Sequence, residues 1–406
     1  MLPELHNDFP VLKRRFRGKR IIYLDSACMS LKPRQVLDAI MDYYQNFPAC
    51  GGRSVHRLSL EVGEKVEEAR KKIAEFLGAR QSEIVFTKNA TEGINLVANA
   101  LNFRKGDCVL TTDKEHNSNL VPWLLLKKRK GIRHLVVRGK KDNTFNLDGY
   151  AEILEKEDVK LVSVVHTSNL DGVTNPAEEI VARAHKHGAL VLLDAAQSAP
   201  HRKLNLKEIG ADFAVCSMHK MLGPTGVGIL YVNSEHFEKL EPFIGGGETV
   251  VNTTYRDVEF LPPPARFEAG LQNYSGIIGS KAAIEYLENV GMEKVESHEI
   301  ELNRIVSEEL LKFEEIEIIG PEEPALRGGI FSFNIKGWNP HDVGILLDEA
   351  ENIMVRTGRL CVHSWFNAKG LEGCIRASFY LYNTEEDARK FAETVRGIVR
   401  GEFSVE

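Results

Sequence analysis

Short apolar runs alternate with longer stretches in which apolar residues recur at helical spacing through the first 230 or so residues. The runs predict strands at 20–25, 84–87, 108–111, 134–137, 161–165, 189–193, 212–216 and 229–232. The stretches predict helices over 1–20, 34–46, 61–77, 118–129, 147–156 and 176–187, and a further helix that opens at 89–95. Strands and helices in alternation are typical of an α/β protein whose mostly parallel sheet is covered on both faces.

The pattern changes after the last of these strands. Residues 245–272 are rich in glycine and proline and predict a long irregular segment. Residues 279–313 are helical with a break near Gly291. An α+β region follows, with strands near 329–335 and 374–378, a helix over 340–349 and a closing helix that begins at the Thr384-x-x-Asp387 box. We expect a large domain over 21–280, and a smaller one formed by 1–20 with 281–406.

Composition narrows the class of protein. The chain has 406 residues, of which 43% are hydrophobic and 27% charged, as in ordinary globular proteins. The net charge of −6 gives no reason to expect nucleic acid or an anionic membrane as a partner. No apolar stretch approaches the ~20 residues of a membrane span, and the first residues lack the features of a signal peptide. We therefore expect a cytoplasmic enzyme. The six cysteines form no C-x-x-C pair, so no metal site is predicted.

Polar residues follow two of the predicted strands. Asp194 ends the apolar run at 189–193, with Gln197 just beyond it, and the strand at 212–216 leads into Ser217, His219 and Lys220. Ligands of open α/β sheets bind at the carboxyl edge, where these side chains are expected. An acid and a lysine placed there suit pyridoxal phosphate, since the lysine can hold the cofactor and the acid can keep the pyridine nitrogen protonated. Taken singly, Asp194 as a helix cap and Lys220 as a solvated loop residue are the simpler interpretations.

Other predicted strands also end in candidate residues. His116 and Asn169 follow the strands at 108–111 and 161–165. Thr91 lies near the start of the helix at 89–95, where a hydroxyl and free amides can bind an anion. Helix capping alone would also explain this threonine.

Together the motifs resemble the class V aminotransferase family of fold-type I pyridoxal phosphate enzymes, and most closely its group II cysteine desulfurases. The resemblance is nearly end to end. Its motifs here include Thr91-Glu-Gly-Ile-Asn95, Glu115-His116, Ser168-Asn169, Asp194-x-x-Gln197, His219-Lys220-x-x-Gly-Pro-Thr-Gly226, Arg266-Phe-Glu-Ala-Gly270, Arg356-Thr-Gly-x-x-Cys361 and Arg376-Ala-Ser378. It implies a large domain with a seven-stranded, mostly parallel sheet and a smaller α+β domain.

The resemblance also implies a role for each candidate. Lys220 would hold the cofactor and move the substrate's Cα proton, and Asp194 would pair with the pyridine nitrogen. The remaining cofactor contacts would come from Gln197, His116, Asn169, Ala90, Thr91, Ser217 and His219. Arg376, with Arg356 as a second candidate, would bind the substrate carboxylate, and Asn169 would also contact the substrate.

Cys361 distinguishes a desulfurase from other members of the family. It follows Arg356 and Arg359 in a loop, where positive charge would favour the reactive thiolate. The resemblance implies that this thiol takes sulfur from L-cysteine as a persulfide, leaves L-alanine, and passes the sulfur to an acceptor or scaffold protein of iron–sulfur cluster assembly. A homodimer is also implied. Selenocysteine lyase, an aminotransferase, a kynureninase-like lyase or a non-catalytic scaffold remain the alternatives.

Overall fold

The computed structural model describes residues 2–52 and 54–402. The first of these do not form the helix predicted for 1–20. They form two 3₁₀ turns, Pro3–Asp8 and Pro10–Lys13, and a hairpin of β1 (Arg15–Phe16) and β2 (Lys19–Arg20). Two prolines, which donate no backbone hydrogen bond, break the helical pattern, and Arg17 and Gly18 both take positive φ at the hairpin turn. β3 (Ile22–Tyr23) follows.

The next part of the chain alternates as predicted. Its elements are α1 (Arg34–Asn46), α2 (Arg57–Phe76), β4 (Ile84–Thr87), α3 (Ala90–Ala100), β5 (Cys108–Thr112), α4 (Asn117–Lys130), β6 (Arg133–Val137), α5 (Leu147–Lys156), β7 (Val159–Val165), α6 (Ala177–Lys186), β8 (Leu190–Asp194), α7 (Leu206–Ile209), β9 (Phe213–Ser217) and β10 (Gly228–Val232). Apart from the edge strand β6, the sheet strands are almost entirely buried, which explains why they appear in the sequence as continuous apolar runs.

These strands form a seven-stranded sheet in the order β4-β10-β9-β8-β7-β5-β6. Neighbours from β9 to β6 are parallel, whereas β10 is antiparallel to both β4 and β9. The predicted fold class, a seven-stranded and mostly parallel sheet with helices, is confirmed. Two apolar clusters pack helices against this sheet, one with Ala74, Ile180 and Val191, the other with Val97, Trp123 and Val109.

The rest of the chain follows β10. Its elements are β11 (Val250–Thr253), β12 (Val258–Phe260), α8 (Tyr274–Val290), α9 (Met292–Leu310), β13 (Ile316–Ile318), β14 (Ile330–Ile335), α10 (Pro340–Glu351), β15 (Ile353–Met354), β16 (Arg356–Gly358), α11 (His363–Lys369), β17 (Cys374–Ser378) and α12 (Glu385–Val399). The predicted break between two helices lies at Gly291, whose φ is 90°. The segment predicted to be irregular contains the exposed hairpin of β11 and β12.

A second sheet is antiparallel, in the order β13-β14-β17-β16. Its own apolar core includes Leu302, Phe333 and Val395 from α9, β14 and α12. β3 joins this region, because it pairs in parallel with β15 and Ile22 packs in the same core. The predicted domain bounds, 21–280 against 1–20 with 281–406, stay a prediction. Within the described ranges, none of the helices is both long enough and apolar enough to cross a membrane.

Candidate active site

A cavity of about 270 Å³ lies where the carboxyl ends of β8 and β9 face the second sheet. All of the predicted site residues line it: Ala90, Thr91, His116, Asn169, Asp194, Gln197, Ser217, His219, Lys220, Arg356, Cys361 and Arg376. The topology explains this, because parallel neighbours end at the same edge of the sheet. The roles of these residues are considered below as proposals.

Lys220 lies at the end of a 3₁₀ turn, Met218–Lys220, that directly follows β9. Its ammonium has no hydrogen bond or ion pair within the part of the chain that the structure describes. Burial lowers the pKa of Lys220, and the positive charge of Arg376 adds to this effect, while Asp194 opposes it. The carbonyl of His219 holds the turn in place by accepting bonds from Ser30 N at 3.1 Å and Lys32 Nζ at 3.0 Å.

Asp194 ends β8 and is 4% exposed. Its Oδ1 accepts a hydrogen bond from Ala196 N at 3.0 Å. Burial raises the pKa of the Asp194 carboxyl, and the nearby Lys220 partly offsets this. A buried carboxylate of this kind requires a cationic partner on the cavity side to remain ionised.

Gln197 lies one turn beyond Asp194 and is also buried. Its Nε2 donates to Ala27 O at 2.6 Å, which fixes the side chain. Its Oε1 is buried and has no hydrogen-bond partner among the described residues. Such an unpaired polar atom costs free energy unless a ligand satisfies it.

The N-terminus of α3 forms another part of the cavity. Asn89 caps this helix by accepting from Glu92 N, and the amide of Ala90 donates to Ser217 Oγ at 2.9 Å. Thr91 is exposed to the cavity, and its hydroxyl bonds Ser118 Oγ at 2.7 Å. Because amides in the first turn of a helix have no acceptor within the helix, this end is a natural anion site.

His116 caps α4, the helix beside α3. Its Nδ1 accepts from Ser118 N at 3.1 Å, so a neutral ring carries its proton on Nε2. Burial lowers the pKa of His116 to about 3, and the charge of Lys220 and Arg376 contributes. Burial likewise lowers the pKa of His219 to about 4, with Lys220 and Lys32 adding to the effect.

Arg356 and Arg376 lie directly opposite one another on β16 and β17 and both line the cavity. Arg376 is 3% exposed and donates to Asn169 O at 2.9 Å and to Asp25 Oδ1 at 3.0 Å. Its Nε is buried without a partner in the ranges described. Like charges directly opposite on a sheet repel, so an anion between the two guanidinium groups is favoured.

Cys361 follows β16 in a tight loop and is half-buried. Leu360 and Cys361 both have positive φ, at 48° and 58°, which turns the chain sharply. Two bonds from the opposite side of the cavity hold this loop. Asn117 N donates to Cys361 O at 2.7 Å, and Asn169 Nδ2 donates to Leu360 O at 2.8 Å. Arg359 points elsewhere, toward Asn367 Oδ1 and Glu372 O, and Arg356 is the arginine that shares the cavity.

Some residues of the cavity were not predicted: Ala27, Cys28, Asn89, Ser118, Val165, Thr167, Ala196 and Leu360. Cys28 is the one thiol among them. It lies in the turn after β3, between Ala27 and Met29, and the signal available in the sequence is its place behind Asp25 at the end of a short apolar run.

Comparison with known proteins agrees with this geometry. The family model for aminotransferase class V matches residues 22–391. The chain belongs to the aminotransferase class V family. A probable cysteine desulfurase of Streptomyces coelicolor is 41% identical over 94% of this chain and 93% of its own length. A cysteine desulfurase of Haloferax volcanii is 37% identical over 96% of this chain and 94% of its own.

Solved structures of similar proteins give the same result. A cysteine desulfurase of Thermococcus onnurineus has a TM-score of 0.94 and 38% identity, with 99% of both chains covered. One of Escherichia coli has a TM-score of 0.88 and 28% identity, with 98% of both covered. The family resemblance described from the sequence is therefore confirmed.

Proposed function

We propose that this chain is a pyridoxal phosphate-dependent cysteine desulfurase, which removes sulfur from L-cysteine, releases L-alanine and carries the sulfur as a persulfide on Cys361. The observation that carries the proposal is that Cys361 and Lys220 line one cavity together with Asp194. The relatives support the predicted activity and cofactor. They are class V family members of 37–41% identity over nearly the whole chain, and they are named cysteine desulfurase or probable cysteine desulfurase.

The residues present fit pyridoxal phosphate. Asp194 is a buried acid that needs a cation, and a protonated pyridine nitrogen would supply one. The unpaired Oε1 of Gln197 borders the cavity and would gain a hydrogen-bond partner from the bound group. Ala90 and Thr91 at the helix N-terminus, with Ser217 and His219, would hold the phosphate. When bound, the cofactor withdraws electrons from the substrate's α carbon.

The two arginines orient the substrate. Arg376 is already fixed by Asp25 and the Asn169 carbonyl, and its fork would bind the substrate carboxylate with two parallel hydrogen bonds. Arg356 adds a second positive charge from the opposite strand. Because Arg376 is held before substrate arrives, little of its side-chain freedom is lost on binding.

Lys220 moves the proton at the α carbon. Burial lowers its pKa, so a larger fraction of the amine is neutral and able to accept a proton at neutral pH. His116 stays neutral because of its depressed pKa, and its Nε2–H remains available as a hydrogen-bond donor. Asn169 bonds both Arg376 and the Cys361 loop. It thereby aligns the carboxylate end of the substrate with its sulfur end.

Cys361 takes the sulfur. Its thiolate attacks the substrate sulfur, the bond from that sulfur to Cβ breaks, and the carbon keeps the electron pair and is protonated to the methyl group of alanine. The loop that holds Cys361 is fixed by Asn117 and Asn169, so the nucleophile does not need a mobile segment to reach the cavity.

The proposal extends to partners. A homodimer is supported by exposed Phe243, Ile244 and Leu271, which surround a second cavity of about 270 Å³ outside the site. In the cell the sulfur would pass, in the cytoplasm, to an acceptor or scaffold protein of iron–sulfur cluster assembly. Light scattering of the purified protein at several concentrations tests the dimer, and a monomer throughout would contradict it.

The decisive experiment compares the wild type with Cys361→Ser and Cys50→Ser. Each is loaded with pyridoxal phosphate, its absorbance is recorded, and alanine and reductant-released sulfide are measured after L-cysteine is added. Cys50 is a matched control because it is exposed but does not line the cavity.

We expect alanine and sulfide from the wild type and Cys50→Ser, and neither from Cys361→Ser, while all three keep the cofactor's absorbance. Alanine formation by Cys361→Ser at the parental rate would exclude the persulfide mechanism. A wild type that binds the cofactor but does not act on L-cysteine would point to another class V reaction.

A further inference from the structure

Two thiols, not one, line the active-site cavity. Cys28 and Cys361 both face it, whereas Cys108, Cys216 and Cys374 are buried in the protein. Cys50 is exposed but does not line this cavity. Free thiols exposed on a protein surface are uncommon without a purpose. The proposed mechanism assigns no role to Cys28.

The turn that carries Cys28 is fixed from both sides of the cavity. Ala27 O accepts from Gln197 Nε2 at 2.6 Å, and Ala27 N donates to Ser378 Oγ at 3.0 Å. Cys28 N in turn donates to Asp25 O at 3.1 Å. Gln197 lies in the turn that follows β8 of the large sheet, and Ser378 follows Arg376 on β17. The backbone of Cys28 is therefore held between the cofactor side and the substrate-carboxylate side of the site.

The charges around the two cysteines are shared. Arg356 and Arg376 line the same cavity as both thiols. Negative charge on either Cys28 or Cys361 raises the pKa of Lys220, so both sulfur atoms lie within electrostatic reach of the same ammonium. The two cysteines differ in exposure, because Cys361 is half-buried and Cys28 is exposed.

Resting on the proposed function, we propose that Cys28 is a second sulfur-carrying residue, which takes the terminal sulfur from the Cys361 persulfide and presents it to an external acceptor thiol at the rim of the cavity. The difference in exposure between Cys361 and Cys28 gives the transfer its direction. Sulfur is accepted from the substrate at the enclosed thiol and is handed on from the open one.

The transfer balances without an added oxidant or reductant. The Cys28 thiolate attacks the terminal sulfur, a new bond forms between that sulfur and Cys28 Sγ, and the bond to Cys361 Sγ breaks. Cys361 leaves as a thiolate with the bonding electron pair, and the terminal sulfur keeps its proton. Attack on the other sulfur would instead release hydrosulfide and leave a disulfide between Cys28 and Cys361.

The test maps sulfur to individual cysteines. The loaded protein is given L-cysteine, alkylated while folded at a series of short times, digested with trypsin without reductant, and analysed by mass spectrometry for one added sulfur atom. Cys28, Cys50 and Cys361 fall in separate tryptic peptides, 21–34, 35–53 and 360–369. The variants are Cys28→Ser, Cys50→Ser and Cys361→Ser, with alanine measured in each sample.

We expect the added sulfur on Cys361 first and on Cys28 later, and none on Cys50. Cys361→Ser should lose it from Cys28 as well, while Cys28→Ser should keep it on Cys361 and transfer it more slowly to an added small thiol. Sulfur on Cys361 with none on Cys28, equal sulfur on Cys28 and Cys50, sulfur on Cys28 in Cys361→Ser, or a linked peptide of 21–34 with 360–369 would each overturn the relay. Absence of alanine and of sulfur from both thiols in the wild type would instead overturn the proposed function.

Discussion

The wall of the cavity formed by β8 and β9 differs from the facing wall in what holds its side chains. We call them the sheet wall (Asp194, Gln197, Ser217, His219, Lys220) and the thiol wall (Cys28, Arg356, Cys361, Arg376). On the sheet wall, Asp194 and Ser217 lie at the ends of strands in the ladder, where Asp194 pairs with Val215, and the other three residues follow these strands. On the thiol wall, the loop and the turn are held by a few bonds from side chains of the opposite wall, such as Asn169 to Leu360 and Gln197 to Ala27.

Because the two walls are held differently, substitutions in each wall should impair a different function. A ladder is moved only by changes to the backbone, whereas a loop tied by single side chains is loosened by one truncation. We therefore expect substitutions near the sheet wall to affect cofactor binding and stability together. Substitutions near the thiol wall should affect sulfur transfer while the cofactor remains bound.

The largest effects are expected from the two reacting residues, and Lys220→Ala removes the base of the sheet wall. Alanine formation should fall by roughly 10²–10⁴-fold or more, since that is the usual contribution of a positioned proton-transfer group. The absorbance of the bound cofactor should change as well, because its covalent partner is lost. The matched substitution on the thiol wall, Cys361→Ser, should abolish alanine formation with the absorbance unchanged. Equal loss of the cofactor's absorbance in both variants would contradict the expectation that the two walls serve different functions.

Gly228→Ala tests the backbone of the sheet wall. Gly228 begins β10 opposite Ser217, and an added Cβ would lie 2.4–2.6 Å from the backbone of Asn89, the cap of α3. The helix end must shift, and we expect a loss of about 1–3 kcal/mol in the free energy of unfolding together with weaker cofactor binding. Urea unfolding and cofactor titration measure both.

The control for that experiment is Gly63→Ala in α2. There the nearest atom that the described residues present to an added Cβ, Gly52 N, is 3.7 Å away, which is ordinary contact. Replacing a glycine inside a helix should leave stability unchanged or raise it by about 0.5–1 kcal/mol. Equal losses in the two variants would contradict a specific role for the close approach at Gly228.

Acid should destabilise the fold through two histidines of the cavity, His116 and His219. The pKa values of His116 and His219 are lowered from 6.5 to about 3 and about 4, so the unfolded chain takes up protons first as the pH falls below about 6.5. Stability of the cofactor-free protein should fall between about pH 6.5 and pH 4, by at most ~1.4 kcal/mol per pH unit for each histidine. Urea midpoints across this range measure it. His116→Gln and His219→Gln should each reduce the slope, and an unchanged slope would contradict the assignment.

The smallest effect is expected from Asn169→Ala, which removes a hydrogen bond that holds the Cys361 loop of the thiol wall. Loss of the bond to the Leu360 carbonyl should cost about 1 kcal/mol and slow persulfide formation several-fold, with the cofactor's absorbance unchanged. Asn117→Ala is the control, because among the described residues the Asn117 side chain bonds only His363, while its backbone amide keeps the bond to Cys361 O. Equal slowing in both variants would show that this loop responds to any nearby truncation.

The two walls also differ in how well the sequence predicts them. The apolar runs of β8 and β9 each stop at polar residues, so Asp194 and Ser217 to Lys220 were placed at one edge by pattern alone. The thiol wall required the family resemblance, because Cys361 and Arg376 reach the cavity through contacts with a distant part of the chain. Cys28 carries no periodic signal, because long-range contacts of its turn, such as those of Ala27 with Gln197 and Ser378, determine where it lies.

Two other parts of the molecule differ from what the apolar pattern predicts. The helix predicted for 1–20 assumed that apolar spacing prevails, but Pro3 and Pro10 interrupt the helical hydrogen bonds and Gly18 closes a hairpin. The hairpin of β11 and β12 was missed because its strands are exposed and have no buried face to impose an alternating pattern.

The pairing of β3 with β15 has a consequence for the synthesis of the protein. Ile22 pairs with Ile353, and Ala27 bonds Ser378, so the turn that bears Cys28 cannot take its place until the ribosome has made about 350 further residues. The sheet wall can assemble earlier, since β4 to β10 are complete by Val232. During translation the sheet wall is thus available well before Cys28 and Cys361 face it. An incomplete chain could therefore hold the cofactor without releasing sulfur.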